Sequence, residues 1–280
     1  MQTKILKSVN KLFKAPVHPF NLNNEGKKSY AMWQYEQGER TIEFFLQKYD
    51  VKEMFEGKTV IDIGCGAGGK SIYYASCGAE KVYGLEILEK YREEAMALAK
   101  SVGMEEKFEF VTGDSAALPF DDNVADTIIV NDAMEHVGNP EKTILEMLRV
   151  LKKGGKIYIN FPPYHHPFGA HLSDAIYIPW VHLFFSQKTL ISAYKNLVKD
   201  LPDGADRINF RISKNESGKE YFSYINKMTI KRFKKILKGM KISTAYYREV
   251  PLRGFLSPLT NIPLLKEMFV KMVVCVIEKN

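Results

Sequence analysis

The chain has 280 residues, 45% hydrophobic and 26% charged, which excludes a disordered, collagen-like or coiled-coil protein and is long enough to bury a core without disulfide staples. The net charge of +7 is uneven: residues 1–56 carry nine Lys/Arg against seven Asp/Glu, residues 57–161 twelve against seventeen, and residues 162–280 nineteen against nine. Such a basic last third favours phosphate-bearing molecules, nucleic acid or a membrane surface, unless its lysines only cover solvated helix faces.

In MQTKILKSVNKLFK, Ile5, Leu6, Val9, Leu12 and Phe13 fall at helical spacing with lysines between them. A basic amphipathic helix of this kind either packs on its own domain or makes a peripheral membrane contact. The segment lacks the continuous apolar run of a secretory signal, and no stretch approaches the ~18 apolar residues of a membrane span. Cys65, Cys77 and Cys275 have no C-x-x-C spacing and read as reduced thiols, which sets the expectation of a cytoplasmic protein.

Residues 28–48 read as a helix. From residue 58 the pattern alternates. Apolar runs at 58–64, 81–87, 107–114, 124–132 and 156–163 predict strands, and 70–78, 89–103 and 140–155 predict helices, the last with proline at its start and glycine after its end. This order predicts an α/β fold with a doubly wound, mostly parallel sheet whose ligand crevice lies at the carboxyl ends of the strands. After Pro163 the rhythm breaks. A helix is expected at 186–200, a basic helix at 229–239, and strands at 241–250 and 271–280. The expected organisation is an N-terminal helical segment (1–56), an α/β core (57–161), an inserted lid or substrate wall (162–226), and a C-terminal helix with strands completing the core sheet (227–280).

VIDIGCGAGG (60–69) places Gly64, Gly66 and Gly68 in the first strand-to-helix turn, where a side chain would exclude an approaching ligand. Glu86 ends the second strand, where a carboxylate can accept from ribose hydroxyls. To this point a nicotinamide dinucleotide and other adenosine ligands are equally served. Asp62 shifts the balance, because a carboxylate beside the turn suits a ligand with an ammonium group and repels a pyrophosphate. With GDSAALPF (113–120), DTIIVNDAMEHV (126–137) and LRVLKKGGKIYINFPP (148–163), the sequence resembles the class I S-adenosylmethionine-dependent methyltransferases. The resemblance covers residues 58–163 and the closing strands, and implies a seven-stranded Rossmann-like sheet with S-adenosyl-L-methionine as cofactor. It assigns cofactor binding to Asp62, Gly64, Cys65, Gly66, Gly68, Glu86, Ile87, Asp114, Ser115 and Asn131, with Asp62 and the glycines at the methionine end, Glu86 at the ribose and Asp114 at the adenine amino group.

Five of the six histidines lie between His136 and His182. They are ordinary polar residues of the lid, or His182 or His136 is a general base, or Asp132, Glu135, His136 and a lid histidine such as His182 hold a divalent metal. The pattern resembles the E-x-x-E-H…H arrangement of metal-dependent small-RNA 2′-O-methyltransferases, with Asp132 replacing its first Glu, so no metal is assigned. Tyr164, Phe168, Tyr177, Trp180, Phe184 and Phe185 either close the lid's own core or line an apolar pocket. The basic residues between Arg207 and Lys241 are placed mainly on one outer helix, and no RNA-binding module motif is present. The reading is therefore methyl transfer to a small or lipid-like acceptor, with O-methylation favoured and nucleic acid disfavoured. An RNA methyltransferase, a nicotinamide oxidoreductase and a non-catalytic adenosyl-binding scaffold are the alternatives.

Overall fold

Strands β1 (Thr59–Ile63), β2 (Lys81–Glu86), β3 (Phe108–Thr112), β4 (Ala125–Asn131) and β5 (Leu151–Phe161) form where the apolar runs end in glycine, acid or proline. They belong to a computed structural model that describes residues 2–16, 18, 21, 28–263 and 265–280. Two later strands, β8 (Tyr246–Pro251) and β9 (Val270–Glu278), complete a seven-stranded sheet in the order β3-β2-β1-β4-β5-β9-β8. β1 pairs in parallel with β2 on one side and β4 on the other, so the strand order reverses at β1. β9 runs antiparallel to β5, with Ile157 opposite Ile277 and Ile159 opposite Cys275. β6 (Ile212–Lys214) and β7 (Glu220–Phe222) form a separate two-stranded hairpin.

The chain divides into two compact units. A sheet unit comprises Lys27–Phe161, Lys231–Val250 and Met272–Asn280. A helical unit comprises Met1–Gly26, Pro162–Ile230 and Pro251–Lys271. The sheet unit packs Val60, Ile72, Tyr74, Val82, Phe108 and Tyr158 into one core, with Phe55 stacked on Tyr74 at 4.9 Å. Among the described residues no helix is long and apolar enough to cross a membrane.

Three sequence expectations shift. The single helix expected over 28–48 is two, Tyr30–Glu36 and Gly38–Ile42. The break falls where Gly38 lies against the Tyr73 ring, so close that a Cβ there would sit 2.1 Å from Cγ. The helix expected to reach 155 begins as read, with Pro140 in its first turn and Asn139 accepting from the Lys142 N–H at 3.0 Å. It stops at Val150, because Leu151 turns extended and pairs with Ala125. The strand expected from 241 begins only at Tyr246. Lys241 takes a positive φ of 54°, and the chain reaches β9 when the Ala245 N–H donates to Val276 O.

In the helical unit, helix Gln2–Asn10 places Leu6 in the core with Ile176, Leu190, Tyr194 and Phe222 and packs Val9 against it. Ile5, Leu12 and Phe13 stay exposed. Asn10 stitches the helix to the lid segment by donating to Ala175 O at 2.9 Å and accepting from the Tyr177 N–H. Arg207 and Arg211, expected among outer-surface cations, are each 2% exposed. Both pair with the buried Asp174, at 3.3 and 2.9 Å. A buried carboxylate pulls guanidinium groups inward because none of the three charges can stay unpaired away from water.

Candidate functional site

The carboxyl ends of β1, β2 and β4 carry Asp62, Glu86 and Asn131, and Asp114 lies two residues past the end of β3. This is the end of a doubly wound sheet at which ligands bind, and the reversal of strand order lies at β1. The glycine turn after β1 is fastened to β2: the Gly64 and Cys65 N–H groups both donate to Leu85 O, at 2.8 and 3.1 Å, and the Gly66 N–H donates to Glu86 Oε2 at 3.0 Å. Gly68 caps the helix Gly69–Ser76 with φ of 77°, a conformation that glycine adopts without a Cβ penalty.

The turn is covered by helix Tyr30–Glu36, a contact invisible in the motif. Gln34 bridges the turn, donating from Nε2 to Cys65 O and accepting from the Gly69 N–H, both at 3.3 Å. Glu94 holds the helix by accepting from the Ala31 N–H at 2.8 Å. A Cβ on Gly69 would stand 1.9 Å from Ala31 O and 2.6 Å from Tyr35 N, both rigid backbone. Gly69→Ala is therefore expected to push the covering helix off the turn and to cost about 1–3 kcal/mol. In a chain of this length that lowers the melting temperature by about 2–4 °C per kcal/mol. Gly138→Ala, whose Cβ would meet nothing within 4 Å, serves as the control. Equal melting temperatures for the two variants in calorimetry would refute the packing argument.

Asp62 is buried and accepts from the Ser71 hydroxyl at 2.6 Å. Burial raises its pKa to about 6, against the lowering pull of Ser71 and the Lys70 ammonium. Glu86 is also raised by burial, but three backbone N–H groups oppose that. Its Oε1 accepts from Ile87 and Leu88 at 3.0 and 3.1 Å, and Oε2 from Gly66. A carboxylate has about four acceptor sites. Among the described residues the open one is on Oε2, enough for one hydroxyl; a second hydroxyl requires a backbone donor to let go. Ile87, next along the chain, is an exposed apolar surface. Asp114 Oδ1 accepts from the Ala116 N–H, while Oδ2 meets no donor among the described residues. Ser115 bonds Thr143 hydroxyl to hydroxyl at 3.0 Å. The buried Cys65 thiol is pushed well up by burial, so it packs and does not react.

Lys70, which sequence reasoning missed, ties the first turn of the helix Gly69–Ser76 to the end of β4. Its Nζ lies 3.6 Å from Asp132 Oδ2 and, with the Asn131 amide oriented to satisfy both of its ends, 2.7 Å from Asn131 Oδ1. The signal was present as the lysine that follows the glycines in the first turn of a helix, but its partners come from β4 and beyond. Glu135 is buried, and its pKa is pushed well above the usual carboxylate range, chiefly by burial and then by the Asp132 charge. His136 is partly exposed, its ring 3.9 Å from Glu135 Oε1.

His182 belongs to the helical unit. Its ring packs on Tyr164 at 4.9 Å between centroids, and burial lowers its pKa to about 4, so it is a neutral imidazole at neutral pH. In that unit it is His165 that meets a carboxylate, with Nδ1 3.2 Å from Glu267 Oε1. Glu267 also accepts from the Ile230 N–H through its other oxygen. A carboxylate on one ring nitrogen orients a histidine and fixes its tautomer. The pair was not legible, because 102 residues separate its members.

Residues 61–159 match the methyltransferase domain family. The chain is similar to norajmaline N-methyltransferase of Rauvolfia serpentina, 36% identical over 102 residues that make up 36% of this chain and 35% of that protein. It is also similar to a probable chloroplastic tocopherol O-methyltransferase of Oryza sativa subsp. japonica, 33% identical over 102 residues, 36% of this chain and 28% of that one. The chain thus spans about a third of the length of these curated relatives. The crystal structure of the MccD protein shares the fold with a TM-score of 0.54 at 16% identity, over 86% of this chain and 97% of that one.

Proposed function

We infer the function from one premise: residues 61–159 belong to the class I S-adenosylmethionine-dependent methyltransferase family. The proposed activity is methyl transfer from S-adenosylmethionine to a small or lipid-like organic acceptor, with oxygen as the favoured atom. The observation that carries it is the row of acceptor groups along the strand ends, Asp62, Glu86 and Asp114, with a cation among them at Lys70. A nicotinamide dinucleotide brings a pyrophosphate to the glycine turn, where the Asp62 carboxylate repels it. A sulfonium amino acid joined to adenosine brings an ammonium, a carboxylate, ribose hydroxyls and an adenine amino group. Asp62 suits the ammonium, Lys70 the carboxylate, Glu86 a ribose hydroxyl and Asp114 the amino group. Bound S-adenosylmethionine supplies an electrophilic methyl on a good leaving group. The protein's task is then largely to hold the acceptor atom in line, and such orientation contributes about 7–11 kcal/mol in favourable cases.

An oxygen acceptor also needs its proton removed. His136 and His182 are the candidate bases, to which the pair His165–Glu267 is added. The relatives named for norajmaline and tocopherol support a small or lipid-like acceptor. So do the exposed Leu183 and Phe184 beside His182. The test is titration calorimetry with S-adenosylmethionine and NADH, followed by methyl-labelled S-adenosylmethionine offered with phenolic lipids, small amines and RNA. Selective binding of NADH overturns the cofactor, and label appearing only in RNA overturns the acceptor.

A further inference from the structure

Residues 221–248 contain eight Lys/Arg and no Asp or Glu. Helix Ile230–Gly239 buries Ile230, Phe233, Ile236 and Leu237, and this spacing leaves Lys231, Lys234, Lys235 and Lys238 exposed. An open groove of about 600 Å³ has Leu237 and Ile242 as its apolar lining and Lys234, Lys238, Lys241, Ser243, Thr244 and Tyr247 around them. It lies between the helix and β8, the edge strand that β4, β5 and β9 separate from β1 and its glycine turn. Lys234 is neutralised by Glu249 at 2.7 Å and sits 4.8 Å over the Tyr247 ring. Lys231, Lys235, Lys238 and Lys241 form no ion pair among the described residues. Like charges gathered on one face repel each other, and an anionic partner relieves that.

We propose that this groove docks the phosphate headgroups of an anionic phospholipid bilayer. Five of the six cations between residues 231 and 241 are lysines, hydrated point charges on long stems that suit a fluid surface of phosphates better than one fixed fork-shaped contact. The hydroxyls of Ser243 and Thr244 add short donors beside them. Nucleic acid fits less well: the groove's one aromatic, Tyr247, is partly buried with Lys234 over one face of its ring, which leaves a base less surface to stack on. The choice of a bilayer as the source of the phosphates rests on the lipid-like acceptor proposed above.

The experiment is co-sedimentation of the full chain with phosphatidylcholine vesicles, with and without phosphatidylserine. Binding is expected only with phosphatidylserine and should fade as salt rises. A lysine near such a surface is worth about fivefold in affinity, so Lys238→Gln with Lys241→Gln should weaken binding about 25-fold. Both side chains are exposed, and binding of S-adenosylhomocysteine should be unchanged, which confirms the fold. Equal sedimentation with both vesicles, none with either, indifference to the double substitution, or displacement of the protein from vesicles by single-stranded RNA would each overturn the inference. Methylation of a detergent-dispersed lipid acceptor without vesicle binding removes the docking site and leaves the proposed activity. Vesicle binding without any lipid-like acceptor turnover does the reverse.

Discussion

Asp62→Ala is expected to weaken S-adenosylmethionine binding by about 10–150-fold, the loss of one charge-assisted hydrogen bond of about 1.5–3 kcal/mol. The alanine also strands the Ser71 hydroxyl, which now donates to Asp62 at 2.6 Å. Asp62→Asn keeps the volume and an acceptor while removing the charge, so it separates the two effects, and affinity should fall with it as well. The pH dependence gives an independent reading. Burial holds the Asp62 pKa at about 6, above its ordinary 3.8. Only the ionised form attracts a cation, so affinity should be flat above that pH and fall about tenfold per unit below it. Stability of the unliganded protein runs the other way. A carboxylate whose pKa is raised on folding favours the fold below pH 4 and loses that contribution as pH rises through 6, a change of about 3 kcal/mol at most. Calorimetric affinities and thermal melts from pH 4 to 8 check both slopes. An asparagine variant that binds as tightly as the parent and keeps its pH profile would remove Asp62 from the cofactor site.

Asp174→Ala should be the most damaging substitution in the helical unit. The carboxylate is fully buried and accepts from Tyr194 at 2.8 Å as well as pairing with both arginines. Removing one member of such a buried set leaves uncompensated charge and costs about 3–5 kcal/mol. Asp203 compensates Arg207 in part, at 2.9 Å, but is one-third exposed. The chain has only two tryptophans, and each unit holds one: Trp33 in the sheet unit and Trp180 in the helical unit. In a Trp33→Phe background, Trp180 fluorescence should report an unfolding transition moved to much lower denaturant by Asp174→Ala. Cofactor affinity should hold until that transition begins. An unmoved midpoint would show that the arginines find other partners.

What was legible divides along sequence distance. The five parallel strands, the glycine turn and the carboxylates at or just past the ends of β1, β2 and β3 are local signals, and residues 58–163 express them in the expected order. Boundaries failed where one residue's conformation decides them, as at Leu151 and Lys241. Groups whose meaning depends on distant partners stayed hidden. Gln34 looks like any helix residue until the fold places it on Gly69. Arg207 and Arg211 look like surface charges until Asp174 draws them inside. Lys70 sits within the motif itself, yet its role depends on Asn131 and Asp132, and Glu267 acquires one only from His165.

The three-segment make-up of each unit also sets a timetable for biogenesis. β9 occupies the sheet position between β5 and β8, and it includes residues up to Glu278. While the ribosome is still adding that segment, β5 exposes an unpaired edge and β8 has no neighbour to join. Such edges invite pairing with another chain. The sheet can close only after Val270–Glu278 leaves the exit tunnel. Slowed elongation between β8 and β9, over residues 252–269, should therefore raise aggregation more than slowing within the parallel strands.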